Sequence, residues 1–195
     1  GLAGAAAVAA AVSTGVGGGT VAEATGAAVM AAALAGERGY WVAAADVSER
    51  IRWAADGVAR MVESGTGRVD PRAGRVDSPG GTVDTPAGRV DSRGGVVEDL
   101  VAEWIYRLVG TSVATQESVP AAFAVLASCP DDPWRACLLA ASLGGDCDTI
   151  AAIVGAIAGA CGGAFPDHAV RTIHEVNDLP LGQLAKDLVG LRDQR

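Results

Sequence analysis

From Thr149 to Pro166 the chain carries no charged residue. Within that run Ala152, Gly155, Ala156, Gly159 and Gly163 recur three and four apart, with Ile150, Ile153, Val154 and Ile157 between them. That spacing is the period of one helix face. Small residues on it let neighbouring backbones come close, while the branched side chains fill the remaining volume. The segment therefore demands surroundings that can bury an uncharged helix. Membrane helices also use small residues four apart, but this run falls short of the ~20 apolar residues a span requires and is dominated by alanine and glycine. No membrane association is expected.

The rest of the chain also reads as helix. Residues 2–12 are almost all alanine, leucine and valine, and break at "STGVGGG". Thr20 and Glu23 then form a capping-box pattern ahead of a second helix, which Gly36 or Gly39 can end. In "DVSERIRWAADGVARMVESG" one face collects Ile51, Ala54, Ala55, Val58, Met61 and Val62. In "EDLVAEWIYRLVG" Leu100, Val101, Trp104, Ile105, Leu108 and Val109 mark another. "SVPAAFAVLASC" reads as a helix capped by Ser118, with Pro120 in its first turn. "DDPWRACLLAASLGG" carries an aspartate cap, Pro133 at the first helical position and Gly144 beyond the end. Two more helices close the chain, the last spaced by Leu181, Leu184, Leu188 and Leu191. No alternating strand pattern occurs. The expectation is an all-α bundle of seven or eight helices forming one domain over residues 1–195. Its core is built from small side chains, since half the residues are hydrophobic but only 4% are aromatic.

Four tandem heptapeptides, "GRVDPRA", "GRVDSPG", "GTVDTPA" and "GRVDSRG", interrupt this pattern over residues 67–94. Their period of seven makes no coiled coil, because every unit holds glycine or proline and a single packable valine. One aspartate per unit is too sparse for a calcium repeat. The segment is expected to be a solvated, mobile insertion.

With 15 basic and 23 acidic residues the net charge is −8, which argues against nucleic-acid binding. The four cysteines, Cys129, Cys137, Cys147 and Cys161, show no CxxC spacing, and only two histidines are present, so a zinc site is not expected. Reduced, mostly buried thiols in a cytoplasmic protein are the simplest reading. His168 and His174 stand six apart, share no helix face well, and are read as solvated. No signal-peptide pattern precedes the first apolar run, and Gly1 begins inside a helical pattern, as in a piece of a longer chain.

Immediately before the uncharged helix stands "GGDCDT", with Asp146 and Asp148 one residue apart behind Gly144 and Gly145. In a helix interior two such positions point about 200° apart; in a turn feeding a helix they can act together. Repulsion between the carboxylates is offset in part by the helix N-terminus, and far more by a divalent cation. Two carboxylates and the Thr149 hydroxyl are hard oxygen donors suited to Mg²⁺ or Mn²⁺. Plain capping is the other reading, with Asp148 as the cap and Asp146 in solvent. Spacing alone does not separate the two.

The whole stretch "GGDCDTIAAIVGAIAGACGG" resembles the C-terminal signature of the ADP-ribosylglycohydrolase family, as do the upstream "GTSVATQESVPAAFAVLA" and the helix beginning Asp132-Pro133-Trp134-Arg135-Ala136. The resemblance implies an all-α fold with a two-metal centre, magnesium or manganese, that hydrolyses the bond between ADP-ribose and a protein side chain or small-molecule acceptor. It makes Asp146, Asp148 and Thr149 metal ligands, with Cys147 a non-ligand between them. It places Gly110, Thr111, Ser112 and Val113 in a loop near the bound ribose. The family's N-terminal half supplies a Thr-Asp-Asp cluster and an acting glutamate. No Thr-Asp-Asp occurs here, and "PDDP" around Asp131 and Asp132 reads as a helix cap. The chain thus resembles the C-terminal part of the family. By itself it is expected to be inactive, with its catalytic residue unassigned and a missing N-terminal half as its partner. A non-catalytic helical module of the same fold, an interaction or storage protein, is the alternative.

Overall fold

The computed structural model of the chain describes residues 1–38, 43–63 and 99–192. Every regular element among them is helical. The heptapeptides at 67–94, and the mobility expected of them, lie outside the described residues. Two compact units are present, Gly1–Ala164 and Phe165–Arg195.

In the first unit α1 (Leu2–Val16) and α2 (Val21–Gly36) pack most extensively, as the short link between them favours. The capping box forms: the Glu23 N–H donates to Thr20 Oγ1 at 3.2 Å, and the Thr20 N–H to Glu23 Oε2 at 2.8 Å. Helix α1 buries a stripe of Gly4, Ala7, Ala11 and Gly15. A Cβ on Gly15 would stand 2.8 Å from the backbone of Ala160 and Cys161, so backbones meet there with no room between them. Helix α3 (Val47–Glu63) starts where Asp46 accepts the Glu49 N–H at 3.0 Å. Hydrogen bonds from the Ser48 hydroxyl and this N–H hold the Asp46 carboxyl below its usual range. Its core face is Ser48, Ile51, Ala54, Ala55 and Val58; Met61 is half-buried and Val62 exposed.

Helix α4 (99–104) widens into a π-helical turn, Ile105–Val109. The wider turn brings Val101, Ile105 and Val109, four apart, to the core. Leu108, expected on that face, is 58% exposed. A period of 3.6 predicted the wrong residue because the helix is underwound there.

The central element is α5 (Thr115–Ser128). From Ser118 to Leu126 every residue is buried, Phe123 being the largest. Such a helix, apolar all round, belongs inside a bundle, and α3, α7, α6, α2 and α1 all pack against it. Ser118 is not its cap. The helix begins one turn earlier, and the Ser118 hydroxyl donates back to the Ala114 carbonyl at 3.3 Å. Pro120 therefore lies beyond the first turn, where it has no N–H to give to the Gln116 carbonyl.

Helix α6 (Pro133–Ser142) starts as expected, with Pro133 first and the Arg135 N–H donating to Asp132 Oδ1 at 2.9 Å. Helix α7 (Cys147–Ala160) carries most of the uncharged run that begins at Thr149. It buries Ile150, Val154, Ile157 and Ala158, while Ala152 and Ala156 are exposed. Its Gly155 faces α6: a Cβ there would lie 3.4 Å from Cys137 Sγ. None of the four cysteines is in a disulfide, and each is half-buried rather than fully buried; burial raises the thiols of Cys137 and Cys161. No described helix is long and apolar enough to cross a membrane.

The second unit holds α8 (Asp167–Asn177) and α9 (Leu181–Arg192). Asp178 ends α8 in the left-handed conformation at φ 46°. His168 and His174 are exposed.

Candidate metal centre

The turn before α7 is built by its glycines. Gly144 and Gly145 have φ of +78° and +66°, where a side chain is strained. At Gly145 space forbids one as well: a Cβ would overlap the Thr111 carbonyl oxygen and lie 2.5 Å from Thr111 Oγ1. With no side chain there, the two backbones approach closely enough for the Asp146 N–H to donate to the Thr111 carbonyl at 2.7 Å. Thr111 is itself buried.

Asp146 occupies the position that precedes the first helical residue of α7, yet its carboxylate caps no backbone N–H. It accepts instead from the Thr149 hydroxyl at 3.0 Å. Asp148 lies in the first turn of α7 and is exposed, and Asp146 is half-buried. The capping reading thus reverses: Asp146, not Asp148, stands at the cap position, and its side chain is turned to Thr149. Both carboxylates stand at the positive end of α7.

The loop 110–113 meets this turn directly. Gly110 turns the chain at φ +88° as the π-helical turn ends, its N–H bonded to the Ile105 carbonyl at 2.9 Å. Thr111 contributes its carbonyl to Asp146. The Ser112 N–H donates to Glu117 Oε2 at 3.1 Å, and the Ala114 N–H to Ser112 Oγ at 3.2 Å. Val113 is 84% exposed. The structure therefore joins Thr111, Asp146 and Thr149 by hydrogen bonds, with Asp148 in the same helical turn as Thr149, and sets Gly110, Ser112 and Val113 along the adjoining loop.

Two residues of this arrangement escape a reading of motifs. Glu117 holds the loop through Ser112; its signal was its place three residues into α5, where a carboxylate can meet free N–H groups. Arg50, on α3, donates from Nε to the Gln116 carbonyl and from Nη2 to the Val109 carbonyl. Nothing in its own neighbourhood marked it, because both acceptors are more than 55 residues away in sequence.

The donors of Asp146, Asp148 and Thr149 are all oxygen and two are anionic, which fits a hard divalent cation. Among the described residues no group of three or more His, Cys, Asp and Glu side chains is placed to hold a metal.

An all-helical protein with an oxygen-donor pair at the head of an otherwise uncharged helix is the class this fold and site define. The chain belongs to the ADP-ribosylglycohydrolase family, which it matches over residues 1–195. It is also similar to the uncharacterized protein YegU of Escherichia coli (strain K12), with 41% identity over 96 residues, 48% of this chain and 29% of that protein. The match thus spans under a third of that relative's length. No solved structure matches the chain.

Proposed function

We propose that Asp146, Asp148 and Thr149 hold a divalent cation, Mg²⁺ or Mn²⁺, as part of a two-metal centre for hydrolysis of the glycosidic bond between ADP-ribose and its acceptor. The acceptor is a modified protein side chain or a small molecule. The observation that carries this reading is the Asp146 turn. Positive-φ glycines, a backbone bond to Thr111 and a hydroxyl bond from Thr149 fix a carboxylate that caps nothing. A carboxylate serving only as a cap would accept a backbone N–H. Family membership supports the same reaction class.

Bound there, the metal ions supply Lewis acidity and a template for a water and the ribose hydroxyls. The chain's own residues hold and orient. Asp146 and Asp148 contribute charge rather than transfer protons, Thr149 fixes the Asp146 rotamer, and the loop of Gly110, Thr111, Ser112 and Val113 borders the ribose. The remaining acidic ligands and the acting glutamate come from outside this chain's own ligand set. Cysteines without disulfides fit a reducing, cytoplasmic setting.

A non-catalytic module of the same fold is the second reading. It is favoured by the absence, among the described residues, of any group of three His, Cys, Asp or Glu side chains placed to hold a metal. Manganese titration, with release of free ADP-ribose from an ADP-ribosylated substrate, decides between them. The 195 residues alone should bind Mn²⁺ weakly, around millimolar, because water fills the remaining positions of an octahedral shell, and should release no ADP-ribose. Joined to the N-terminal half of a relative, they should bind tightly and turn over. Asp146→Ala and Asp148→Ala should then each lower activity by orders of magnitude, and Cys147→Ser should leave it near the parent level. Full activity of reconstituted Asp148→Ala protein would refute the ligand assignment.

A further inference from the structure

We propose that Arg50 is a positioning residue for the Asp146 site, clamping both ends of the loop that holds Asp146 in place. This rests on the reading of Asp146 as a cation ligand.

The two carbonyls that Arg50 engages are ones the backbone leaves without a normal helical partner. Gln116 O lies four residues before Pro120, which has no N–H to return. Val109 O ends the π-helical turn, after which Gly110 leaves the helix at φ +88°. Arg50 Nε donates to the first and Nη2 to the second. A guanidinium presents these two donors in a fixed fork, so the distance between Val109 and Gln116 is set by one rigid group. The loop between them, 110–115, carries Thr111, whose carbonyl accepts the Asp146 N–H at 2.7 Å.

The clamp is itself held from behind. The Arg50 guanidinium carbon lies 5.8 Å from the Trp53 ring centroid, a cation–π arrangement. Trp53 packs on Trp104 with centroids 5.0 Å apart at 36°. Trp104 in turn lies against Gly57, where a Cβ would stand 2.7 Å from its ring. The chain of contacts thus runs from Trp104 and Trp53 through Arg50 to the loop carbonyls, and from Thr111 to Asp146.

The test uses the full chain, with Arg50→Gln and Arg50→Lys. Three quantities are read: amide hydrogen exchange at Asp146 and at Val154 in the α7 interior, Mn²⁺ affinity, and Tm. In Arg50→Gln the Asp146 amide should exchange about tenfold faster while Val154 keeps its protection, and Mn²⁺ should bind about tenfold more weakly, as for other lost supports of a metal ligand. Arg50→Lys should fall between, since a single ammonium lacks the fork. A purely structural role for Arg50 would speed Asp146 and Val154 together, and equal acceleration or none at all would overturn the proposal. Should wild-type protein bind no Mn²⁺, the cation reading fails and the exchange data still decide the clamp. If Arg50→Gln does not fold, Pro120→Ala serves. Its restored N–H competes for Gln116 O, and selective loosening of Asp146 is again expected; unchanged Asp146 exchange in that variant would overturn the clamp.

Discussion

At the scale of single residues, the site depends on a missing side chain as much as on those present. Gly145 combines a positive φ with a position where a Cβ would overlap the Thr111 carbonyl. Gly144, at a similar φ, has only the Tyr106 ring within reach, 3.8 Å away. Gly145→Ala should therefore cost more than Gly144→Ala. Both carry the backbone penalty of about 1 kcal/mol, but only Gly145→Ala must also break the Thr111–Asp146 bond. Urea unfolding of the two variants, with Mn²⁺ titration of each, checks this. Equal losses in stability and affinity would mean that the close approach of the two loops does not matter.

At the scale of elements, glycines decide how near the helices come, and they act in an unexpected place. The small-residue pattern of α7 suggested that its own face admits the neighbours. At Gly155 the nearest atom is the Cys137 sulfur, at the 3.4 Å limit of ordinary contact. The backbone-to-backbone approach is instead made by Gly15 of α1 against Ala160 and Cys161 at the end of α7. Gly155→Ala should thus be tolerated, Gly155→Leu should destabilise by roughly 1–3 kcal/mol through overpacking, and Gly15→Ala should cost more than Gly155→Ala despite adding the same single methyl. Chemical denaturation of the three variants tests the order. A neutral Gly15→Ala would show that α1 can move away from α7 freely.

At the scale of the whole molecule, the hydrophobic core lies between Ala7 and Ala158 and is contributed by α1 to α7. In the second unit Val170, Ile173, Val176, Leu184, Leu188 and Leu191 are exposed, the last three among the leucines that space α9. Residues 67–94 carry no core-forming period in their sequence, and surface insertions change stability only slowly with length. Deleting the four heptapeptides should leave Tm within a few degrees. Loss of the cooperative transition on deletion would show that the repeats hold the bundle together.

Local chemistry was legible in the sequence. The capping box at Thr20 and Glu23, the Asp132–Pro133 start of α6, the all-helical class and the special turn before α7 all follow from interactions between residues a few positions apart, which the order of residues states directly. The site was legible as residue types: two aspartates and a threonine behind two glycines. Tertiary structure alone decided the rest. It brought the Asp146 N–H to the Thr111 carbonyl, moved the start of α5 from Ser118 back to Thr115, and underwound the helix at Ile105–Val109 so that Leu108 left the core. It also brought Arg50 to two carbonyls that Pro120 and the π-helical turn had freed. The reason is physical. A carbonyl without a partner must find a donor wherever the packed chain offers one, and which donor arrives depends on how the helices have already packed.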